Sequence, residues 1–134
     1  MPEIKVMSFA YDKGLPKYSS NDKLYVFDCR TIKDPMWETF LNYSGNDAEL
    51  QAQFEKQVPM KDFLEKTQDF LFLVQDQALA NSDSRDSIIA FGCTNGRHRS
   101  VYCADKIAKN LFDKYKIPVL CTHREQNTEY YLKI

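Results

Sequence analysis

Residues 87–115 restrict the fold more than any other stretch of this chain. Ser87-Ile88-Ile89-Ala90-Phe91 is a short run of β-formers. A glycine-bearing polar segment follows, Gly92-Cys93-Thr94-Asn95-Gly96-Arg97-His98-Arg99-Ser100. Beyond it Val101, Ala104, Ala108, Leu111 and Tyr115 recur at helical spacing, with Ile107 and Phe112 beside them. A continuous run of β-formers giving way to period 3.6 across a tight turn predicts strand, turn and helix, the repeating unit of an α/β fold.

The rest of the chain supplies partners for that unit. Ile4 to Ala10 reads as a first strand, and Gly14 and Pro16 supply turn chemistry after it. Leu24-Tyr25-Val26-Phe27 reads as a second, buried strand running into Asp28-Cys29-Arg30. Asp34-Pro35 imposes an extended or turn geometry. Asn46-Asp47 is placed to cap a short helix from Ala48 to about Lys56, and Pro59 suits the first turn of a longer one. In that longer helix Met60, Phe63, Leu64, Thr67, Phe70, Leu71 and Val74 lie three and four apart, so its aromatics read as core. Asn81 to Asp86 is a loop, Pro118-Val119-Leu120-Cys121 a fourth strand, and the chain closes in a polar tail. The expected architecture is α/β: a small sheet of about four to five mostly parallel strands flanked by helices in about three layers. The third and fourth strands would make one βαβ unit if they are neighbours.

The 134 residues suit a single domain, 1–134, and 43% hydrophobic residues suffice for one core. A net charge of −1 argues against general attraction to nucleic acid or anionic membrane. No signal-peptide pattern and no run of the ~20 apolar residues that span a bilayer appears, so a cytoplasmic location is expected. The four cysteines, Cys29, Cys93, Cys103 and Cys121, include no C-x-x-C pair. Free thiols are expected, with no metal and no cofactor. Cys29, Cys103 and Cys121 read as small buried hydrophobes.

The turn after the third strand carries the chemistry. A helix start leaves backbone N–H groups without intrahelical acceptors, and the helix dipole makes that end positive. Gly92 and Gly96 allow close backbone approach, Thr94 and Ser100 add hydroxyls, and Arg97 and Arg99 add guanidinium forks. Together they describe a site for an oxyanion such as phosphate. His98, once protonated, would donate to the same group. The spacing C-x5-R-S from Cys93 to Ser100 also matches cysteine-dependent phosphatases. On that reading Cys93 is the nucleophile, Arg99 the phosphate clamp and Asp34 a general acid.

Several segments, in the same order, resemble the C-terminal domain of the RapZ family of bacterial RNase adapter proteins. Gly92 to Tyr102 is similar to its G-C-T-G-G-[KQR]-H-R-S-V hallmark, and Ser8 to Pro16 to its S-F-G-F-K-Y-G-x-P opening. Val26-Phe27-Asp28-Cys29-Arg30 resembles V-F-D-V-R, and Lys33 to Trp37 resembles L-P-N-P-H-[WY]. Tyr43 to Asp47 resembles T-G-L-D, and His123-Arg124-Glu125 resembles H-R-[DET]. The resemblance implies a small α/β domain that binds an amino-sugar phosphate, acts as sensor or adapter, self-associates into a homo-oligomer and contributes to RNA binding. It assigns the anion site to Thr94, Asn95, Gly96, Arg97, His98, Arg99 and Ser100. Asp28, Arg30, His123 and Arg124 would form its rim. The family's N-terminal nucleotide-binding domain has no counterpart, since no G-x-x-x-x-G-K-[ST] occurs, and nucleotide hydrolysis is not carried over. Met36 replaces a histidine of the pattern and Asn95 its second glycine, a change the turn tolerates because Asn accepts left-handed backbone.

Overall fold

The computed structural model describes residues 2–34 and 37–134; the Pro35 turn and the Met36 substitution fall outside them. Five strands form one sheet: β1 (Ile4–Ala10), β2 (Lys23–Asp28), β3 (Ser87–Cys93), β4 (Val119–His123) and β5 (Thr128–Leu132). Three helices complete the domain: α1 (Ala48–Glu55), α2 (Val58–Ala80) and α3 (Arg99–Tyr115). The strand order is β2-β3-β1-β4-β5, with β1 to β4 parallel and β5 antiparallel to β4. Ala10, Asp28, Cys93 and His123 therefore all end at one edge of the sheet.

Two expectations are corrected. The third and fourth strands are not neighbours, because β1 lies between them and α3 crosses over it. The closing tail is not irregular: it turns at Arg124–Gln126, with Asn127 in left-handed backbone, and returns as edge strand β5. Most of β5 is exposed, which is why its residues look like tail.

Parallel register sorts the side chains onto two faces. Ile4, Val6, Phe27, Ile89, Phe91, Cys93, Val119 and Cys121 share one face, and they join residues of all three helices in a single core. α3 gives Tyr102, Cys103, Ala104, Ile107, Ala108 and Leu111 to that core, and Phe54 of α1 lies against Tyr102 at 4.9 Å. α2 contributes Met60, Thr67 and Leu71, while Phe63 and Phe72 pack at the core margin. Phe70 reaches Tyr25 and Phe27 yet remains 43% exposed, so it is rim rather than core. The opposite face, with Lys5, Met7, Ile88 and Thr122, borders the connection at Lys17 to Asp22 instead of a helix. The architecture is two layers with a strap, not three.

Each fully buried Val, Leu or Phe stabilises by roughly 1.5–3 kcal/mol, against about 0–1 kcal/mol for an exposed ion pair. The core therefore supplies most of what holds the fold.

Candidate functional site

The turn from Thr94 to His98 sits at the carboxyl edge between the end of β3 and the start of α3. Thr94, Asn95 and Arg97 are exposed, Arg99 is half-buried, and Gly96, His98 and Ser100 are buried. The left-handed position is Gly96, at φ 72°, not Asn95. A β-carbon on Gly96 would lie 3.0 Å from the Ala10 amide nitrogen and 3.0 Å from Glu125 Cγ. The turn thus rests directly on the ends of β1 and β4.

His98 is the pivot of this turn. Its Nδ1–H donates to Asp34 Oδ2 at 2.8 Å and its Nε2–H donates to the Tyr43 carbonyl at 2.9 Å. An ionised Asp34 and the Tyr43 carbonyl are both acceptors, an arrangement that the doubly protonated ring satisfies. The Asp34 hydrogen bond raises its pKa above the ordinary histidine value despite burial, which acts the other way. The ring is 2% exposed, so its charge acts on the edge through the protein and its N–H groups are engaged internally. Asp34 is correspondingly this histidine's partner.

Because the ring is so held, His98 gives α3 no side-chain cap, although it is the N-cap residue. No acidic residue stands in the first turn of α3 either. The first turn of this 17-residue helix thus offers its N–H groups to no acidic side chain of its own, and exposed Arg97 stands beside it. Gly45 closes one side: its N–H donates to the Arg97 carbonyl at 2.6 Å. A β-carbon there would lie 2.1 Å from the His98 carbonyl oxygen, so only glycine fits.

Ser100 does not offer its hydroxyl to the edge. It is fully buried, with Oγ 3.1 Å from Cys93 Sγ. Cys93 is likewise 0% exposed and belongs to the core together with Cys29 and Cys103. The Cys29 thiol is pushed well above its ordinary range by the Cys103 thiol and by burial. Arg99 directs Nη1 at the carbonyls of Ile32 (2.8 Å) and Arg30 (3.2 Å), tying α3 to the turn after β2. All four cysteines are free.

The rim residues are also placed. Arg30 grips Asp28 in a two-pronged pair, with Nη2 to Oδ2 at 2.6 Å and Nε to Oδ1 at 2.9 Å. Arg30's hydrogen bonds hold the Asp28 carboxyl below the usual carboxylate range. The guanidinium lies 3.9 Å over the Tyr11 ring, a cation–π contact. Gly92 makes room for this stack, since a β-carbon there would lie 2.4 Å from Phe9 and 2.5 Å from Tyr11. Arg124 donates to the Gly14 carbonyl (2.8 Å), the Ala10 carbonyl (3.3 Å) and Glu125, bracing the 10–14 turn. His123 points inward to Ser8 and Asp105 and is 1% exposed. The contributions of Tyr11, Gly45 and Glu125 escape a sequence reading, because they act through shape and backbone contacts rather than through reactive groups.

A second depression opens at the opposite edge, lined among others by Glu3, Lys23, Gln75, Leu79 and Arg85. Its cations Lys23 and Arg85 both pair with Asp83, at 3.6 and 2.9 Å. Both cations of this depression are thus already paired with a carboxylate.

The family model described as the RapZ C-terminal domain matches residues 2–127. The chain belongs to the RapZ C-terminal domain family. Its relatives include a "Nucleotide-binding protein" of Xylella fastidiosa (strain 9a5c), 36% identical over 122 residues, which cover 88% of this chain and 39% of that protein. One from Nitrosococcus oceani is 36% identical over 121 residues, 88% of this chain and 40% of that protein. One from Pseudothermotoga lettingae is 32% identical over 126 residues, 92% of this chain and 42% of that protein. The chain thus spans about two-fifths of the length of these relatives. In this RapZ-type domain the matched region holds the whole carboxyl edge, including the turn, its Gly45 neighbour and the Arg30 rim. No helix among the described residues is long and apolar enough to cross a membrane.

Proposed function

We propose that this domain binds a phosphorylated small molecule, an amino-sugar phosphate in the first instance, at the turn formed by Thr94 to Ser100. The observation that carries the reading is the start of α3, which has neither a side-chain cap nor an acidic first turn and lies beside exposed Arg97. Backbone N–H groups and the helix dipole supply the phosphate contacts. The Thr94 hydroxyl, the Asn95 amide and the Arg97 guanidinium reach the ligand directly. Gly96, His98 and Ser100 serve from behind, the first by its conformation and the others by holding the turn in place. Arg99 shapes the wall at Arg30, and Asp28 and Arg30 face the sugar.

Binding without chemistry is the favoured role, because Cys93 has no exposed surface and Arg99 is engaged with two carbonyls. The biological output is sensing or adapting through a partner macromolecule. The relatives are called nucleotide-binding proteins, but the P-loop pattern that would bind a nucleotide does not occur in these 134 residues. RNA contact is the weaker reading, given a net charge of −1.

Thermal denaturation against a panel of sugar phosphates, free sugars and inorganic phosphate tests this. The expected result is a concentration-dependent rise in Tm with an amino-sugar phosphate and none with the unphosphorylated sugar. No shift with any phosphorylated compound at millimolar concentration, from a folded sample, would sink the reading.

A further inference from the structure

Beneath α3 lies a second group of chemically capable side chains. Cys121 and His123 stand two apart on β4, so both point to the helical face of the sheet. Asp105 reaches them from α3, and its side-chain oxygen, the Cys121 sulfur and a His123 ring nitrogen all lie within 4.8 Å of one another. The individual separations are 2.8 Å from His123 Nε2 to Asp105 Oδ1, 3.7 Å from Cys121 Sγ to Asp105 Oδ1, and 4.0 Å from Cys121 Sγ to His123 Nε2.

Three donors converge on one carboxylate oxygen here. His123 Nε2–H, the Cys121 thiol and the Tyr130 hydroxyl, at 2.5 Å, are all directed at Asp105 Oδ1. A single oxygen serves three protons poorly, whereas one cation among the same atoms would satisfy sulfur, nitrogen and oxygen together. On the far side of the ring, Ser8 Oγ lies 2.7 Å from Nδ1 and holds the imidazole in one orientation. A second hydrogen bond of that kind accompanies metal-ligating histidines generally.

We propose that Asp105, Cys121 and His123 form a zinc-binding site that fastens α3 to β4, with a fourth position open to water beside the Tyr130 hydroxyl. A soft sulfur, an imidazole nitrogen and a carboxylate oxygen are the donor set zinc prefers over calcium or magnesium. Bond lengths of about 2.3 Å to sulfur and about 2.0–2.2 Å to nitrogen and oxygen require only small side-chain movements from the observed separations. On binding, the Cys121 thiol proton leaves to solvent. The imidazole proton moves from Nε2 to Nδ1, where Ser8 Oγ accepts it, so one proton is released per zinc. Cysteine spacing alone gives no sign of this site, because Asp105 comes from a different element and the pair on β4 is C-x-H rather than C-x-x-C.

Equilibrium dialysis of the metal-stripped protein against micromolar zinc, and titration with cobalt(II) as a spectroscopic probe, decide the matter. The expected outcome is one metal per chain and a thiolate-to-cobalt charge-transfer band in the near ultraviolet. Both should be lost in Cys121→Ser and persist in Cys103→Ala, whose thiol lies in the separate cluster with Cys29 and Cys93. If Cys121→Ser does not fold, Asp105→Asn, on the partly exposed side of the site, should weaken zinc binding at least tenfold. No stoichiometric metal on the wild-type protein overturns the proposal. So does binding that survives Cys121→Ser or Asp105→Asn, or that is lost in Cys103→Ala.

Discussion

His98 and Asp34, sixty-four residues apart in the chain, meet in a 2.8 Å ion pair that is almost entirely withdrawn from water. The pair anchors the start of α3 to the segment after β2, and the Tyr43 carbonyl completes it on the other ring nitrogen. Removing one partner of a buried pair leaves an uncompensated charge, at a cost of about 3–5 kcal/mol. His98→Ala should therefore lower stability by that order in chemical denaturation, with an unchanged m-value.

The same pair predicts a pH dependence. The folded-state pKa of His98 is raised above the unfolded value of about 6.5. Its contribution is fully present below about pH 6.5 and is lost as the pH rises through the folded value. Denaturation midpoints of the wild-type protein should fall as pH increases from about 6 to 8. His98→Gln should show a flatter profile over the same window. Equal slopes in the two proteins would mean that the imidazolium is not the titrating group.

Gly45 offers a steric prediction. Its substitution by Ala would push a methyl group to within 2.1 Å of the His98 carbonyl oxygen and 2.7 Å of the Tyr102 amide nitrogen, both of them backbone. Neither can yield without unseating α3, so a loss of about 3 kcal/mol or more is expected, at or above the usual range for overpacking. Gly14→Ala, with nothing within 4 Å, bears only the conformational strain of its φ of 87° and should cost less. Thermal melts of the two variants side by side test the ranking.

The two turn arginines should behave differently. Arg97 is exposed, so Arg97→Ala should leave stability within about 0.5 kcal/mol while removing the Tm rise given by a phosphorylated sugar. Arg99 clasps the Arg30 and Ile32 carbonyls, so Arg99→Ala should lower the Tm of the free protein as well. Loss of stability in Arg97→Ala would show that this side chain is structural.

Cys93 gives the sharpest negative expectation. Its sulfur is buried against the Ser100 hydroxyl, so an aryl phosphate should not turn over above background. Turnover abolished by Cys93→Ser would replace the binding role by a cysteine-dependent phosphatase.

Much of this fold is legible in the sequence because periodicity is strong where burial is strong. β3 is buried throughout, and the apolar positions of α3 do form its core face. The turn between them is legible for a different reason, the concentration of glycine, hydroxyl and arginine in nine residues. Strand insertion is not legible: that β1 separates β3 from β4 depends on long-range pairing, which leaves no local pattern. β5 is hidden because an exposed edge strand has a polar composition. Side-chain direction is hidden as well. A sequence reading treats His98, Ser100 and His123 as available groups, whereas packing turns all three inward to Asp34, Cys93 and Ser8.

The central claim, that the uncapped start of α3 beside Arg97 receives a phosphorylated small molecule, is tested most directly by amide chemical shifts. An amino-sugar phosphate would be titrated into the isotopically labelled protein and followed residue by residue. Saturable changes should concentrate on the amides of Thr94 to Val101, with smaller ones at Arg30 and Gly45. Changes confined to the opposite edge around Glu3, Lys23 and Leu79, or no change at millimolar ligand, would contradict the account.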